Sequence, residues 1–359
     1  MNSPLSSEHD DPSTRALRAY GWNDFFQNGF TDHGAVGLVP ARIARVDRGQ
    51  VTAITGDGPT RAASGTYALC TGDWVALNPG DQPEIAALLP RRTAVVRSSA
   101  SRTSEAQLLA ANVDTVAIVV SLAAAPDPGR IERLAALAWE SGALPVLVLT
   151  KADSVADGSG AQLADEAAAL IPGVEVLLTS SITGLGMDRL RDVLTGTVVL
   201  LGASGAGKST LGNALLGADR LATGRVRARD GKGRHTTVHR ELLPIPGGGV
   251  LIDTPGLRAV GLHDSESGLQ QVFAEIDELA ERCRFSDCGH DNEPGCAVLA
   301  AIADGALPER RLASYRKLQR ENAWAAARSD ARMRAEREAH RRSISRSLRA
   351  TYGFRGRQR

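Results

Sequence analysis

One stretch constrains this chain more than any other: Gly202-Ala203-Ser204-Gly205-Ala206-Gly207-Lys208-Ser209-Thr210. It spells G-x-x-x-x-G-K-S, the pattern of a phosphate-binding loop. Residues 197–201 before it are an apolar run of strand type, and residues 209–216 after it can open a helix. In that setting the glycines let backbone N–H groups face a phosphate, helped by the positive end of the helix. Lys208 is expected to reach the β- and γ-phosphates and act in catalysis, and the Ser209 hydroxyl to ligate Mg²⁺. The chain should therefore carry a nucleoside triphosphate site.

At 359 residues the chain is too long for one ordinary domain, and two or three are expected. No run of 18 or more apolar residues would span a membrane, and the N-terminus lacks a basic-then-apolar leader. A cytoplasmic monomer is expected. Net charge is +1, but residues 331–359 hold ten arginines against Glu336 and Glu338. Such a tail suggests a nucleic-acid partner, or else a solvated end. Of the four cysteines, Cys70 stands alone, and the other three cluster with His290.

The character of the chain changes several times. Residues 1–35 form an N-terminal extension, mostly polar, whose Tyr20, Trp22, Phe25, Phe26 and Phe30 read as a segment packing on the next domain. Residues 36–100 read as about five short strands with turns, a small all-β barrel of OB type. Such barrels often bind RNA. Arg91, Arg92 and Arg97 at its exit suit phosphate contact or plain solvation. Residues 101–264 alternate apolar strands (113–120, 145–149, 174–178, 197–201, 249–252) with helices such as 128–141. That pattern predicts an α/β domain with a parallel sheet covered on both faces. Residues 265–328 read as a helical domain with helices over 269–282, 297–303 and from 308 onward, ahead of the tail at 329–359.

The expected nucleotide is GTP. Strand 145–149 ends in Thr150-Lys151-Ala152-Asp153, matching [N/T]-K-x-D. Asp153 can accept hydrogen bonds from guanine N1–H and its 2-amino group. Adenine offers neither and would leave the carboxylate unpaired. Ser180 and Ser181, in the loop after the next strand, suit backbone contact with the guanine oxygen. Asp253-Thr254-Pro255-Gly256 matches D-x-x-G, with Asp253 toward Mg²⁺ and the Gly256 N–H toward the γ-phosphate. Between them, Gly233-Arg234-His235-Thr236-Thr237 offers the threonine that closes on Mg²⁺, Thr237 or alternatively Thr236. A standard GTPase runs phosphate loop, threonine switch, D-x-x-G and then N-K-x-D. Here the guanine-reading half comes first, so the domain is circularly permuted, and the C-terminal part of the chain is joined directly to the D-x-x-G switch.

Cys283, Cys288, His290 and Cys296 supply three thiolates and one imidazole. Four such ligands fill a tetrahedral Zn²⁺ shell with no open position, a structural site. The permuted motif order, a preceding barrel with Gly72-Asp73-Trp74-Val75, and a following Cys/His knot together resemble the RsgA (YjeQ) family of small-subunit-dependent GTPases. The resemblance runs from about Tyr20 to about Arg328. It implies an OB-type barrel, a permuted GTPase domain and a zinc domain, with Zn²⁺ and Mg²⁺ as cofactors. It also implies GTP hydrolysis stimulated by the 30S subunit, late 30S maturation and contact with 16S rRNA. Leu257 follows Gly256 where many GTPases place a water-orienting glutamine. His235 is expected to take that role, or only to order the switch. A GTP-regulated RNA-binding module with incidental turnover is the competing reading, while Asp153 disfavours an ATP-dependent enzyme.

Overall fold

The computed structural model describes residues 12–97, 107–156, 159–221, 240–253 and 266–327. Two helices come first, α1 (Pro12–Arg18) and α2 (Asp24–Gly34). The Asn23 side chain accepts from the Phe25 N–H and caps α2, supplying a partner that the helix start lacks. The second helix turns Phe26 and Phe30 inward with Leu17 and Trp22 against Trp74. The aromatic N-terminal segment thus packs on the barrel, as its composition predicts.

The barrel comprises β1 (Val39–Val46), β2 (Gln50–Thr55), β3 (Gly58–Ala63), β4 (Trp74–Asn78) and β5 (Glu84–Leu88). It closes in the order β1-β2-β3-β5-β4, with β1 and β4 antiparallel from Val39↔Leu77 to Arg42↔Trp74. Closure removes the sheet edges that an open five-stranded sheet would expose. Alternation puts Ala41, Ile43, Val51, Ala53, Val75 and Leu77 inside. A hairpin of β6 (Ala94–Arg97) and β7 (Gln107–Ala111) leads out of it.

Next comes a six-stranded sheet with helices between its strands. Its elements are β8 (Thr115–Ser121), α3 (Pro128–Glu140), β9 (Leu144–Thr150), α4 (Ser159–Ala168), β10 (Glu175–Leu178), α5 (Met187–Val193), β11 (Thr197–Gly202), α6 (Lys208–Leu216), β12 (Glu241–Pro244) and β13 (Val250–Asp253). The strand order is β10-β9-β8-β11-β13-β12. All neighbours are parallel except the edge pair β12–β13, so the sheet is mixed rather than purely parallel. Burial alternates by residue: Ile118, Leu147, Val199 and Leu201 face one core, and Ala117, Val148, Val198 and Leu200 the other. Both faces are covered, which explains the near-continuous apolar strands.

The chain ends in α7 (Glu266–Val272), α8 (Ala274–Ala280), α9 (Ala297–Ala303) and α10 (309–327). The single helix expected over 269–282 is broken at Phe273, whose backbone leaves helical geometry at ψ 33. Its ring is fully buried, and the Arg311 guanidinium lies over it. Tertiary packing therefore overrides the helical pattern there. Gly268 crosses α3 so closely that a Cβ would sit 2.1 Å from the Ala136 carbonyl oxygen.

Two buried arginines join the parts. Arg42, in β1, donates to the carbonyls of Tyr20 and Asn112 and to Thr197 Oγ1, and stacks over Trp74. Burial pushes its guanidinium down to about 10, against the charges of Asp114 and Asp73, so it stays protonated at neutral pH. Arg311, in α10, donates to Glu132 of α3 (2.7 Å), Leu170 O (3.0 Å), Val272 O (2.8 Å) and Glu275 (2.8 Å). Glu132 is itself fully buried. Such a pair adds little net stability, but removing one partner costs about 3–5 kcal/mol. It therefore fixes how the C-terminal helices sit on α3.

Candidate nucleotide site and metal centre

The parallel sheet brings the motif residues to one end. Register aligns Ser121↔Thr150, Leu178↔Leu149 and Gly202↔Val119, so β8, β9, β10 and β11 finish together. From β8 the order runs outward through β9 and β10 on one side and through β11 and β13 on the other. That reversal at the carboxyl ends is where open α/β sheets place ligands.

The phosphate loop leaves β11 at Gly202 and enters α6 at Lys208. Gly202 has φ 156, and a Cβ there would lie 2.2 Å from the Val119 carbonyl oxygen. Only glycine lets the loop start this close to β8. Ala203 and Ser204 follow, and Gly207 precedes α6 in the left-handed region at φ 96. Lys208 Nζ donates to the carbonyls of Gly202 (2.8 Å) and Ala203 (2.7 Å), so its ammonium is folded over the loop that it would share with a phosphate. Ser209 is half-buried in the first turn of α6, and Thr210 beside it is exposed.

The T-K-x-D loop is clamped to this one. Thr150, buried at the end of β9, donates its hydroxyl to the Ala206 carbonyl at 2.6 Å. Lys151, left-handed at φ 60, donates Nζ to the Gly205 carbonyl at 2.9 Å. Ala152 N–H donates to Thr179 O at 3.1 Å, tying in the loop after β10. There the buried Ser180 hydroxyl donates to Asp153 Oδ1 and accepts the N–H groups of Ile182 and Thr183 at 3.2 Å each. Asp153 is exposed, as is Ser181. The carbonyls of Gly205 and Ala206 are partners that side-chain motifs cannot announce.

Asp253 is the last residue of β13, beside β11. His235, Thr236, Thr237 and Gly256 lie outside the described residues, as does the tail. Of the barrel-exit arginines, Arg91 has a structural partner. Its guanidinium donates to both oxygens of the fully buried Asp73, at 2.6 and 2.8 Å. That hydrogen-bonded carboxylate holds the Arg91 guanidinium above its usual range, against a smaller effect of burial. Arg92 lies 3.8 Å from Asp114.

Cys283, Cys288, His290 and Cys296 converge with their ligand atoms within 4.8 Å of one another. His290 Nδ1 is 3.6 Å from Cys283 Sγ and 3.4 Å from Cys296 Sγ, and the two sulfurs are 3.9 Å apart. Bonds of about 2.3 Å to sulfur and 2.0 Å to nitrogen at tetrahedral angles would need ligand separations of about 3.5–3.8 Å. The residues fit one four-coordinate ion. The knuckle is fixed around Glu293, whose carboxylate accepts the N–H groups of Gly289 (3.0 Å), Asp291 (2.8 Å) and Asn292 (3.1 Å). Its own N–H first, and then these, hold it below the usual carboxylate range. Arg316 of α10 clasps the knuckle through the His290 carbonyl at 2.6 Å.

A cavity of about 560 Å³ lies away from both sites, between α3, α4 and the α9–α10 turn, lined by Pro126, Leu163, Leu170, Leu307 and Arg311. Arg311 spends its donors on the partners named above. Among the described residues no helix is long and apolar enough to cross a membrane.

A family model described as RsgA GTPase matches residues 88–263. The small ribosomal subunit biogenesis GTPase RsgA of Streptomyces coelicolor is 56% identical over 341 residues, covering 92% of this chain and 93% of its own. The protein of the same name from Syntrophotalea carbinolica is 41% identical over 354 residues, covering 92% and 96%. Among solved structures, YjeQ from Thermotoga maritima has a TM-score of 0.58 at 25% identity, over 78% of this chain and 97% of that one. YloQ, described as a circularly permuted GTPase, has a TM-score of 0.57 at 22% identity, a likeness of fold.

Proposed function

The chain belongs to the RsgA family of GTPases, and from that premise we propose that it acts in building the small ribosomal subunit. It hydrolyses GTP. In our reading it binds the 30S subunit and 16S rRNA late in maturation, in the cytoplasm and as a monomer. Hydrolysis is stimulated by the subunit and drives release. The ribosomal part rests on the role named for its relatives. The nucleotide part rests on one observation: the Thr150 and Lys151 side chains grip the carbonyls of the phosphate loop. Base recognition and phosphate recognition then form a single rigid unit.

The roles follow from chemistry. Residues 202–210 cradle the phosphates, with Lys208 countering their charge. Asp153 reads guanine, steadied by Ser180, with Thr150, Lys151, Ala152 and Ser181 around the base. Mg²⁺ would be held by the hard oxygen set of Ser209, Thr237 (or Thr236) and Asp253, and would neutralise phosphate charge. The Gly256 N–H meets the γ-phosphate, and His235 positions the attacking water. The Cys₃His knot would hold one structural Zn²⁺. We place the extension at 1–35, the barrel at 36–100, the GTPase domain at 101–264, the zinc domain at 265–328 and the tail at 329–359.

The test is multiple-turnover hydrolysis of GTP and ATP with and without purified small subunits. GTP turnover alone should rise with the subunit. His235→Ala should lower the stimulated rate by roughly 10²-fold or more while binding of a fluorescent GTP analogue is unchanged. ATP preference, or turnover indifferent to the subunit, contradicts the reading. Leu257 keeps one competitor, a GTP-regulated RNA-binding module, which tight subunit binding without added turnover would favour.

A further inference from the structure

The cavity of about 560 Å³ between α3, α4 and the α9–α10 turn has no part in the nucleotide site or the metal knuckle. Small-molecule pockets occupy about 300–1,000 Å³ and gather where domains meet, and this one has that size and that place. Ala167, Leu170 and Leu307 give it a buried apolar floor. Pro126, Pro128, Pro172 and Pro308 also line it. Proline has no backbone N–H, so these positions offer an anion nothing to bond. Arg311 offers nothing more. Its Nε and Nη2 go to Glu275, its Nη1 to Glu132 and Leu170 O, and its Nη2 also to Val272 O. Arg310, the other cation of the lining, donates to the fully buried Glu132 at 3.0 Å. The acceptors are in a different position. Glu275 receives Arg311 on Oε1. Glu166, exposed at the rim, accepts from the neutral Gln162 amide at 2.9 Å and forms no ion pair among the described residues. Around the cavity, the carboxylates of Glu132, Glu166 and Glu275 therefore stand against the two guanidiniums of Arg310 and Arg311.

We propose that this cavity binds a small organic amine with an apolar body. The body lies on Ala167, Leu170 and Leu307, and the ammonium group bonds to the carboxylates of Glu166 and Glu275. Each part of the lining argues for this class. The floor removes apolar surface from water, which favours a hydrocarbon body. The acceptors exceed the donors, and the negative charges exceed the positive ones, which favours a cationic head. An anion would find the Arg311 donors taken and carboxylates beside it. A neutral apolar molecule would fill the floor and gain nothing from Glu166 or Glu275. Pro128 begins α3, Leu163 lies on α4 and Leu307 precedes α10. An occupant thus touches both sides of the seam that Arg311 and Glu132 hold together, and its binding stabilises that seam. The inference goes beyond the ribosomal reading and does not depend on it.

Three probes of one shape test it: phenylbutylamine, a cation at neutral pH, with phenylbutanol and phenylbutyrate as its neutral and anionic counterparts. Each is titrated into the zinc-loaded full chain and followed by ligand-observed NMR and by melting temperature. The amine should bind in the millimolar range or tighter and raise the melting temperature. It should bind about ten-fold more tightly than the alcohol, the gain from a charge-assisted hydrogen bond, and the carboxylate should bind more weakly than the alcohol. Ala306→Trp, at an exposed position of the lining, should fill the cavity and abolish binding of amine and alcohol alike. In the Glu166→Gln/Glu275→Gln double variant an amide oxygen can still receive Arg311, and the amine should fall to the affinity of the alcohol while the alcohol is unmoved. Intrinsic GTP turnover of Ala306→Trp should match the parent. Equal affinity for the three probes, no binding of any of them, or amine binding unmoved by Ala306→Trp would overturn the proposal. So would an amine preference that survives in the double variant. Each of these results would leave subunit-stimulated turnover standing.

Discussion

The Thr150 hydroxyl donates to the Ala206 carbonyl from a position buried at the end of β9. Valine has the same shape and no donor. Thr150→Val would leave that carbonyl without this partner, at a cost of about 1–3 kcal/mol. Where that cost falls on the ordered loop, GTP affinity drops roughly ten-fold. Titration with a fluorescent GTP analogue measures it, and unchanged affinity would mean that the clamp does not order the loop. Residue identity was legible here because T-K-x-D is a local pattern. Its partners were not, since they are backbone atoms 54 and 56 positions away. Arg91 makes the converse point. A cation at a barrel exit suggests phosphate or water, yet it serves Asp73, a carboxylate 18 residues earlier that closure of the barrel buries.

At the scale of elements, the strands with continuous apolar runs were readable, and so was the Cys/His knot that could hold a metal. The edge strand β12 was not: four residues ending in Pro244 give no periodicity. β3 starts at Gly58-Pro59 and reads as a turn. The break at Phe273 coincides with a contact to Arg311, a residue far along the chain, whose guanidinium lies over its ring. The knuckle itself makes a sharp prediction. With metal bound, Cys283, Cys288 and Cys296 are shielded, while Cys70 is protected independently. Burial, and then the charge of Asp73, push the Cys70 thiol up to about 12, so it stays protonated and unreactive. A strong chelator should expose three thiols to a thiol-reactive dye and lower helical circular dichroism, because metal and folding are coupled. The fourth thiol should react only in denaturant. Three thiols already reactive before chelation, with no loss of helix afterwards, would mean that the knuckle needs no metal.

Across the whole molecule the order of parts carries the account. The barrel is pinned to the GTPase sheet through Arg42 and Thr197, and the C-terminal helices are pinned through Arg311 and Glu132. Both seams are attached to elements next to the candidate nucleotide site: Thr197 opens β11, which leads into the G-x-x-x-x-G-K-S loop, and Glu132 lies on α3, between β8 and β9. Permutation joins the D-x-x-G segment directly to the helices seated on α3. That arrangement was readable from motif order alone, whereas the two seams rest on pairs separated by 155 and 179 residues, for which no local signal exists. The most direct test is subunit-stimulated turnover by Asp153→Asn. Guanine offers two donors to the carboxylate, and an amide meets one of them with its own donors. Xanthine presents an oxygen in place of the 2-amino group, which the amide can bond. The variant should lose stimulated hydrolysis of GTP and regain it with xanthosine triphosphate at the same subunit concentration. Undiminished GTP turnover, or no recovery with xanthosine triphosphate while the variant remains folded and zinc-loaded, would contradict the assignment of Asp153 and the permuted site built around it.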